Sequence, residues 1–251
     1  EEDEKTISMN PFGLAFYKPT YVLPFYFTSS PYQQVYIGNT PNNQKIQSQE
    51  FKAQFSFKIP VWQNILGKDS KLSAAYTQQM YWQAYAKSKY FRETNYQPEI
   101  FLAKKITPNV WLNLGIEHQS NGRGGSMERS WNRAYINTTF SKNNFAVRFR
   151  PWLLIFKGSS SDLHNHDIGR YMGHGEITLL YKLYKLDLSL KTRNNFESGF
   201  RRGANEIAFS FPVSTKIKVY AQFFSGYGQS LIEYNHFTNA FGVGIALSDW
   251  I

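Results

Sequence analysis

Apolar and polar residues alternate along most of the chain in segments of about ten residues. Between residues 51 and 61, Phe, Ala, Ile and Val occupy the odd positions, while Lys, Gln and Ser fill most of the even ones. Successive side chains of a β-strand point to opposite faces, so each segment predicts a strand with one apolar and one polar face. The same alternation recurs at residues 72–82, 145–149, 177–183, 186–191, 207–211, 217–223 and 241–247.

Further strand candidates are residues 12–28, 96–106, 110–120, 131–140 and 152–157. The segments together predict about twelve antiparallel strands, an even number that can close into a barrel without free edges. Short connections such as Tyr184-Lys185 alternate with long polar ones at residues 158–169 and 194–203, which is typical of outer-membrane barrels. We expect one domain over residues 1–251, with about residues 1–12 as an N-terminal extension.

The two faces of these strands differ in a way that predicts which face is outside. One face is strongly aromatic, and the other is ionic, whereas the interior of a water-soluble barrel should be apolar. We therefore predict an all-β protein, a twelve-stranded antiparallel transmembrane β-barrel with its apolar face outward. A soluble two-sheet sandwich with an aromatic core is the alternative. The ionic face carries Lys52, Lys58, Arg148, Arg150, Asp187 and Lys191.

Composition adds three constraints. The 251 residues include 28 Lys+Arg and 18 Asp+Glu, a net charge of +10 that suits anionic partners such as nucleic acid or lipid phosphates. With the barrel prediction, we expect membrane lipid and no nucleic acid. The absence of cysteine excludes disulfides and thiolate metal sites. The acidic start, Glu1-Glu2-Asp3-Glu4, is typical of a mature N-terminus, so we expect a signal peptide to be absent from this chain.

Candidate chemistry lies at the end of the strand predicted over residues 110–120. His118 and Ser120 follow Leu112, Leu114 and Ile116 on one apolar face. Serine becomes a nucleophile when a base such as histidine removes its proton. A His-x-Ser pair alone usually has no catalytic role, so its neighbours decide the interpretation.

Two residues after this pair could complete a hydrolytic site. In one register of the hairpin, Asn132 lies opposite His118 with Cβ atoms within about 5.5 Å. Its carbonyl oxygen could then accept a hydrogen bond from the imidazole Nδ1–H and fix the tautomer. Gly122 could present its backbone N–H to an oxyanion.

Several motifs resemble one known family over most of the chain after Phe51. Residues 118–123 (HQSNGR) and 130–133 (SWNR) resemble outer membrane phospholipase A, a family of calcium-dependent lipases of Gram-negative outer membranes. The first 45 or so residues resemble the family only loosely. The other matching segments are residues 65–67, 76–78, 91–96, 171–173, 225–228 and 230–232.

The resemblance implies a twelve-stranded barrel that hydrolyses phospholipid acyl esters as a homodimer. It implies Ser120 as nucleophile, His118 as general base, Asn132 as the residue that orients His118, and Gly122 as an oxyanion donor. The activity would be that of a calcium-dependent serine esterase, with phospholipase A1, phospholipase A2 and lysophospholipase character. The competing interpretation is a passive outer-membrane porin, because a polar lumen is expected of both.

The resemblance also implies Ca²⁺ as the cofactor, bound where two subunits meet. Its matching ligands are the Arg123 backbone carbonyl, Glu128 and, from the partner subunit, Ser88. Glu128 departs from the family pattern, in which a serine is known at this position. A carboxylate is a stronger calcium ligand than a hydroxyl, so Glu128 could tighten the site, or it could point elsewhere.

Gln78 is a polar residue on a face predicted to meet lipid. It follows Leu72, Ala74 and Tyr76 at the same alternating positions. An unpaired amide in hydrocarbon costs several kcal/mol, and two copies across a dimer axis could satisfy each other. The family match over residues 76–78 implies this dimer-interface role. The alternative is an amide at headgroup level that stays hydrated.

Overall fold

The computed structural model describes residues 13–155 and 164–250. The expected N-terminal extension over residues 1–12 therefore lies outside the described residues. The strands are β1 (Ala15–Phe16), β2 (Thr20–Thr28), β3 (Gln49–Gln63), β4 (Ser70–Trp82), β5 (Phe91–Thr107), β6 (Val110–Ser120), β7 (Ser130–Lys142), β8 (Phe145–Ile155), β9 (Gly175–Leu183), β10 (Leu186–Asn195), β11 (Arg202–Pro212), β12 (Lys218–Tyr227) and β13 (Phe237–Ser248).

Strands β2 to β13 form a closed antiparallel barrel. Each pairs with its neighbour in the chain, and β13 pairs with β2 to complete the ring of twelve. Strand β1 lies outside this ring order and pairs with β3 beyond the end of β2, with Ala15 opposite Lys58. The predicted all-β, twelve-stranded barrel is confirmed, and its closure leaves the twelve strands without a free edge.

Two strand predictions were wrong at prolines. Residues 145–149 and 152–157 were predicted as separate strands, but β8 runs unbroken through Pro151 to Ile155. Pro151 is tolerated because it lies at the last pair of the ladder with β9, opposite Gly175, where a missing N–H costs little. Residues 156 and 157 lie outside the described residues.

Residues 12–28 were predicted as one strand, whereas β1 and β2 are separated at residues 17–19. Pro19 cannot donate to a ladder, and Lys18 turns inward to Glu99 at 3.2 Å. The loop predicted over residues 194–203 is also shorter than expected. Strand β10 continues to Asn195 and β11 begins at Arg202, so the loop comprises residues 196–201.

The outward face of the barrel is apolar and its lumen is ionic. Phe25, Phe149 and Phe241 are at least half exposed, whereas Lys52 and Arg150 are buried inside. This arrangement inverts a soluble barrel and suits a lipid-facing wall. Among the described residues, no helix combines the length and apolar character that crossing a membrane requires.

The two ends of the barrel differ in the length of their connections. At the short-turn end, turns of two to six residues join β3–β4, β5–β6, β7–β8, β9–β10 and β11–β12. The long-loop end carries the remaining connections, and the loop over residues 228–236 folds into the lumen, where Leu231 and Ile232 are buried. The helices are α1 (Gly169–Met172) and the 3-10 turns Gln33–Tyr36, Pro41–Asn43, Gly125–Met127 and Phe196–Ser198.

Candidate active site

The hairpin of β6 and β7 brings the candidate polar residues together. Its register is uninterrupted from Val110 to Ser120 and places His118 opposite Asn132 and Ser120 opposite Ser130. This is the register that the sequence analysis considered. Side chains of directly paired residues share a face of the sheet, so all four belong to one face.

This face is the outer wall of the barrel. Leu114 and Ile116, which precede His118 at alternate positions, are 46% and 51% exposed. The intervening Glu117 is buried in the lumen. His118 and Ser120 therefore continue the lipid-facing stripe of β6 and lie where it reaches the long-loop end.

His118 and Asn132 are joined by a hydrogen bond. The distance from the imidazole Nδ1 to the amide Oδ1 is 2.8 Å. A carbonyl oxygen only accepts, so Nδ1 carries the proton, and the lone pair of Nε2 is left for another partner. The asparagine is neutral, so it orients the ring without adding a full negative charge.

The loop after Ser120 is organised by Asn121, which sequence reasoning missed. The buried Asn121 amide donates to the Met127 carbonyl at 2.8 Å and accepts from the Arg129 N–H at 3.0 Å. These bonds tie the two ends of the loop together and fix its path past Gly122. A buried asparagine in a loop is recognisable only from its contacts, because the sequence does not say which backbone groups it meets.

Gly122 has a backbone conformation that favours glycine. Its φ is +62°, and an added Cβ would lie 2.8 Å from the Tyr96 ring. Tyr96 is also the β5 partner of Ser120, so this ring flanks the serine and the candidate oxyanion donor together. Sequence reasoning assigned no role to Tyr96, and its pairing with Ser120 depends on a register shift between β5 and β6.

The candidate calcium ligands lie in two loops of the long-loop end. Arg123 and Glu128 belong to the loop over residues 121–129, and within the described residues neither the Arg123 carbonyl nor the Glu128 carboxylate takes a hydrogen bond or ion pair. The Arg123 side chain instead pairs with Glu93 at 3.2 Å. Ser88 lies in the β4–β5 loop, where its Oγ accepts from the Asn42 amide at 2.9 Å.

The candidate calcium ligands include a single acidic side chain, Glu128. Within residues 13–155 and 164–250, no group of three or more His, Cys, Asp or Glu side chains is arranged to hold a metal ion. One carbonyl and one carboxylate are hard oxygen donors of the type that Ca²⁺ prefers, and Ca²⁺ takes about 6–8 such ligands. These two ligands alone would not fill the coordination shell of the ion.

Gln78 lies on the outer wall, as predicted, but it is not without a partner. Its Oε1 accepts a hydrogen bond from the Tyr76 hydroxyl at 2.8 Å. The amide N–H groups remain available on the outer surface of β4. Gln78 thus needs less from a partner subunit than the sequence suggested.

A closed barrel with an apolar exterior and a histidine–asparagine–serine cluster on that exterior defines an integral membrane protein with a candidate hydrolytic site in its wall. The comparisons with known proteins identify the family. A family model described as Phospholipase A1 matches residues 1–247, and the chain belongs to this family of phospholipid-hydrolysing enzymes.

The relatives agree in sequence and in fold. The phospholipase A1 of Salmonella typhimurium is 37% identical over 248 residues, covering 96% of this chain and 83% of that protein. The Salmonella typhi outer membrane phospholipase, solved as a dimer with bound calcium, superimposes with a TM-score of 0.88 at 36% identity, covering 96% of this chain and 94% of that one. An active-site variant of the Escherichia coli enzyme, with alanine in place of an asparagine, gives 0.87 at 33% identity with the same coverage. This chain is therefore an outer-membrane phospholipase.

Proposed function

We propose that this phospholipase cleaves acyl ester bonds with Ser120 as nucleophile, His118 as general base and Asn132 as the residue that orients His118. The observation that carries the proposal is the 2.8 Å bond between His118 Nδ1 and Asn132 Oδ1 on the lipid-facing wall. That an asparagine belongs to the active site of the Escherichia coli relative supports the role of Asn132.

The proposed roles give a two-step reaction. The Ser120 hydroxyl attacks the ester carbonyl carbon while His118 Nε2 takes its proton. The tetrahedral intermediate places negative charge on oxygen, toward which the Gly122 N–H donates. Its collapse expels the alcohol, which takes the proton from His118 and leaves an acyl-serine. A water molecule, deprotonated by His118, then releases the fatty acid and restores Ser120.

The site would meet lipid laterally rather than through the lumen. His118 and Ser120 lie on the outer wall near the long-loop end, which in outer-membrane barrels faces the cell exterior. Acyl chains can therefore remain in the hydrocarbon layer while the ester reaches Ser120. The same geometry would allow cleavage at either acyl position and of single-chain lipids, so we extend the proposal to phospholipase A2 and lysophospholipase activity.

Calcium is the cofactor that the loop over residues 121–129 would help to hold. The Arg123 carbonyl and the Glu128 carboxylate fit the ion by their chemistry, and Ser88 of the partner subunit would add a third oxygen. When bound, the ion would supply positive charge that stabilises the oxyanion. A relative is a dimer with bound calcium, which supports a homodimer whose sites are completed by the second subunit.

Removal of calcium should abolish most of the fatty acid release from phospholipid micelles. Glu128→Gln removes one charged ligand, so we expect the calcium concentration for half-maximal rate to rise by about tenfold. The measurement is fatty acid release during calcium titration, with a chelator as the zero point. Glu197→Gln, which changes an exposed acid of another loop, is the control and should leave the calcium concentration for half-maximal rate unchanged. A rate that is the same with chelator and with calcium would refute the cofactor proposal.

Gln78 is proposed to contact its counterpart in the homodimer through its free amide N–H groups. Gln78→Leu should weaken dimerisation in detergent by about three- to tenfold, the range expected for one hydrogen-bonded contact in a membrane. Sedimentation equilibrium with calcium present measures the dimer fraction. Gln79→Leu is the matched control, because Gln79 faces the lumen and bonds to Gln54. A dimer unaffected by Gln78→Leu would exclude this role.

The porin interpretation gains no support from the lumen. Residues 228–236 enter it, and Glu233 pairs there with Arg92 at 3.2 Å. Glu99, Glu117 and Arg150 form a further buried ionic cluster nearer the middle. The loop and these ion pairs narrow the path that a solute would take, although a polar cavity lined by residues such as Gln97, Glu176 and Glu206 lies between them. We retain hydrolysis as the proposed function of a single domain.

A further inference from the structure

Lysines surround the short-turn end of the barrel. Every one of its five hairpins carries at least one lysine in the turn or within three residues of it. Lys71, Lys182 and Lys218 also lie near these turns, and the last two pair with Asp187. We call six other lysines the lysine rim, and all of them except the half-buried Lys104 are exposed: Lys68, Lys104, Lys105, Lys142, Lys185 and Lys216.

Within residues 13–155 and 164–250, acidic side chains offset the charge of the lysine rim only in part. Among the described residues at this end, Asp69 is the acid with an exposed side chain. Asp187 and Asp249 point into the barrel mouth, where each lies 2.8 Å from the Lys218 ammonium group. The rim therefore presents a positive potential outward, while Asp187 and Asp249 pair with Lys218 inside the barrel mouth.

The lysine rim borders the apolar wall at the height of an aromatic belt. Trp62 is 61% exposed and Tyr184 is 89% exposed, and both lie beside the same short turns. Exposed tryptophan and tyrosine at strand ends mark the level of lipid headgroups in membrane barrels. Lysine stems can lie along the apolar wall while their ammonium groups reach that level.

One part of the lysine rim is held in place by the backbone around it. The Lys104 ammonium donates to the Leu66 carbonyl at 3.1 Å, and the Lys105 N–H donates to the Asp69 carbonyl at 3.1 Å. These bonds pack the β3–β4 turn against the end of β5. Lys68, Lys104 and Lys105 are thus the rim lysines of the two adjacent hairpins β3–β4 and β5–β6, the first of which carries Trp62. We call these three lysines the patch beside Trp62, although the Lys105 ammonium itself lies 5.7 Å from the Trp111 ring centroid.

We propose that the lysine rim binds the phosphate groups of anionic phospholipids in the leaflet at the short-turn end, which is the periplasmic leaflet of an outer membrane. Charge complementarity and continuity with the lipid-facing wall favour a membrane headgroup over a soluble anion. The binding would hold the barrel at a defined depth, independently of the hydrolytic mechanism at the opposite end.

Lipid selectivity at Trp62 tests the proposal. The protein is placed in phosphatidylcholine vesicles in which either phosphatidylglycerol or phosphatidylcholine carries brominated acyl chains, which quench nearby tryptophan. Trp82→Phe removes the outward tryptophan of the long-loop end, Trp111→Phe removes the tryptophan that contacts Lys105, and Ser120→Ala prevents lipid hydrolysis. In this background, quenching at about 0.1 M salt should show a preference for phosphatidylglycerol that disappears near 1 M salt, where the Debye length is about 3 Å.

Replacing the patch beside Trp62 with K68Q/K104Q/K105Q should lower this preference by about threefold, and the corresponding arginine variant should retain it. K142Q/K185Q/K216Q is the matched control. This variant removes the same charge from the same end of the barrel. Its nearest lysine, Lys216, precedes β12, which is three strands from the β3 strand that carries Trp62. That separation is about 14 Å at strand spacing, beyond the Debye length of about 10 Å at 0.1 M salt. A preference unchanged in K68Q/K104Q/K105Q, or lowered equally by the control, would overturn the proposal.

Discussion

Ser120→Ala should lower the rate of fatty acid release from phospholipid micelles by about 10⁴-fold or more, because no other group can form the acyl intermediate. The barrel should still fold, since Ser120 lies at the end of β6 and contributes no buried contact to the lumen. The measurement is titration of released fatty acid with calcium present, alongside gel mobility with and without heating to confirm folding.

Ser130→Ala is the matched control for this experiment. Ser130 lies directly opposite Ser120 on β7, so its loss tests whether any hydroxyl on this face would serve; we expect little change in rate. Asn132→Ala should give an intermediate fall of about 10- to 100-fold, because His118 keeps its basic nitrogen but loses its orientation. Full hydrolysis by Ser120→Ala would remove the mechanism altogether.

Glu117→Gln should destabilise the barrel by about 3–5 kcal/mol, because it removes the negative partner of buried cations. The Glu117 carboxylate contacts Arg133 and lies 2.5 Å from Arg150 and 3.6 Å from Lys18, all in the lumen. Glutamine keeps the size of the side chain, so the loss would be electrostatic rather than a cavity. The free energy of unfolding is measured from urea titration in detergent micelles.

The exposed pair of Glu197 and His174 provides the comparison. These side chains lie 2.9 Å apart at the long-loop end, where Glu197 is 46% exposed. Glu197→Gln should change the free energy of unfolding by less than about 1 kcal/mol, because water and salt screen the pair. Equal effects of the two substitutions would show that the lumen is well hydrated and would contradict the proposed role of Glu117.

The barrel was predictable because its pattern has a period of two, and that period survives in most of the strands. It breaks at register shifts in β2, between Leu23 and Tyr26, and in β3, between Pro60 and Trp62. The strand count and the outward apolar face follow from it directly.

The strand predictions were wrong at two prolines. Pro19 lies where the predicted strand is interrupted, whereas Pro151 is tolerated within β8 because it lies at the end of the ladder with β9. Sequence shows the proline, but only the pairing shows whether its missing N–H matters.

The candidate site was predictable only in part. The placement of His118 and Ser120 on one face is a property of the strand, and the position of Asn132 depended on a register that proved uninterrupted. The loop around Gly122 could not be foreseen, since it depends on bonds that Asn121 makes across eight residues. The roles of these residues in catalysis and calcium binding remain predictions for the experiments above.

The ion pairs that join the barrel wall to the loop over residues 228–236 inside the lumen have a consequence for how the chain assembles. Arg92 of β5 meets Glu50 of β3 at 2.8 Å and Glu233 of the loop before β13 at 3.2 Å. These partners are far apart in sequence, and the last of them arrives only when the final hairpin is in place. A partly assembled wall would expose unpaired charges to the hydrocarbon, so insertion and ring closure should occur as one cooperative transition.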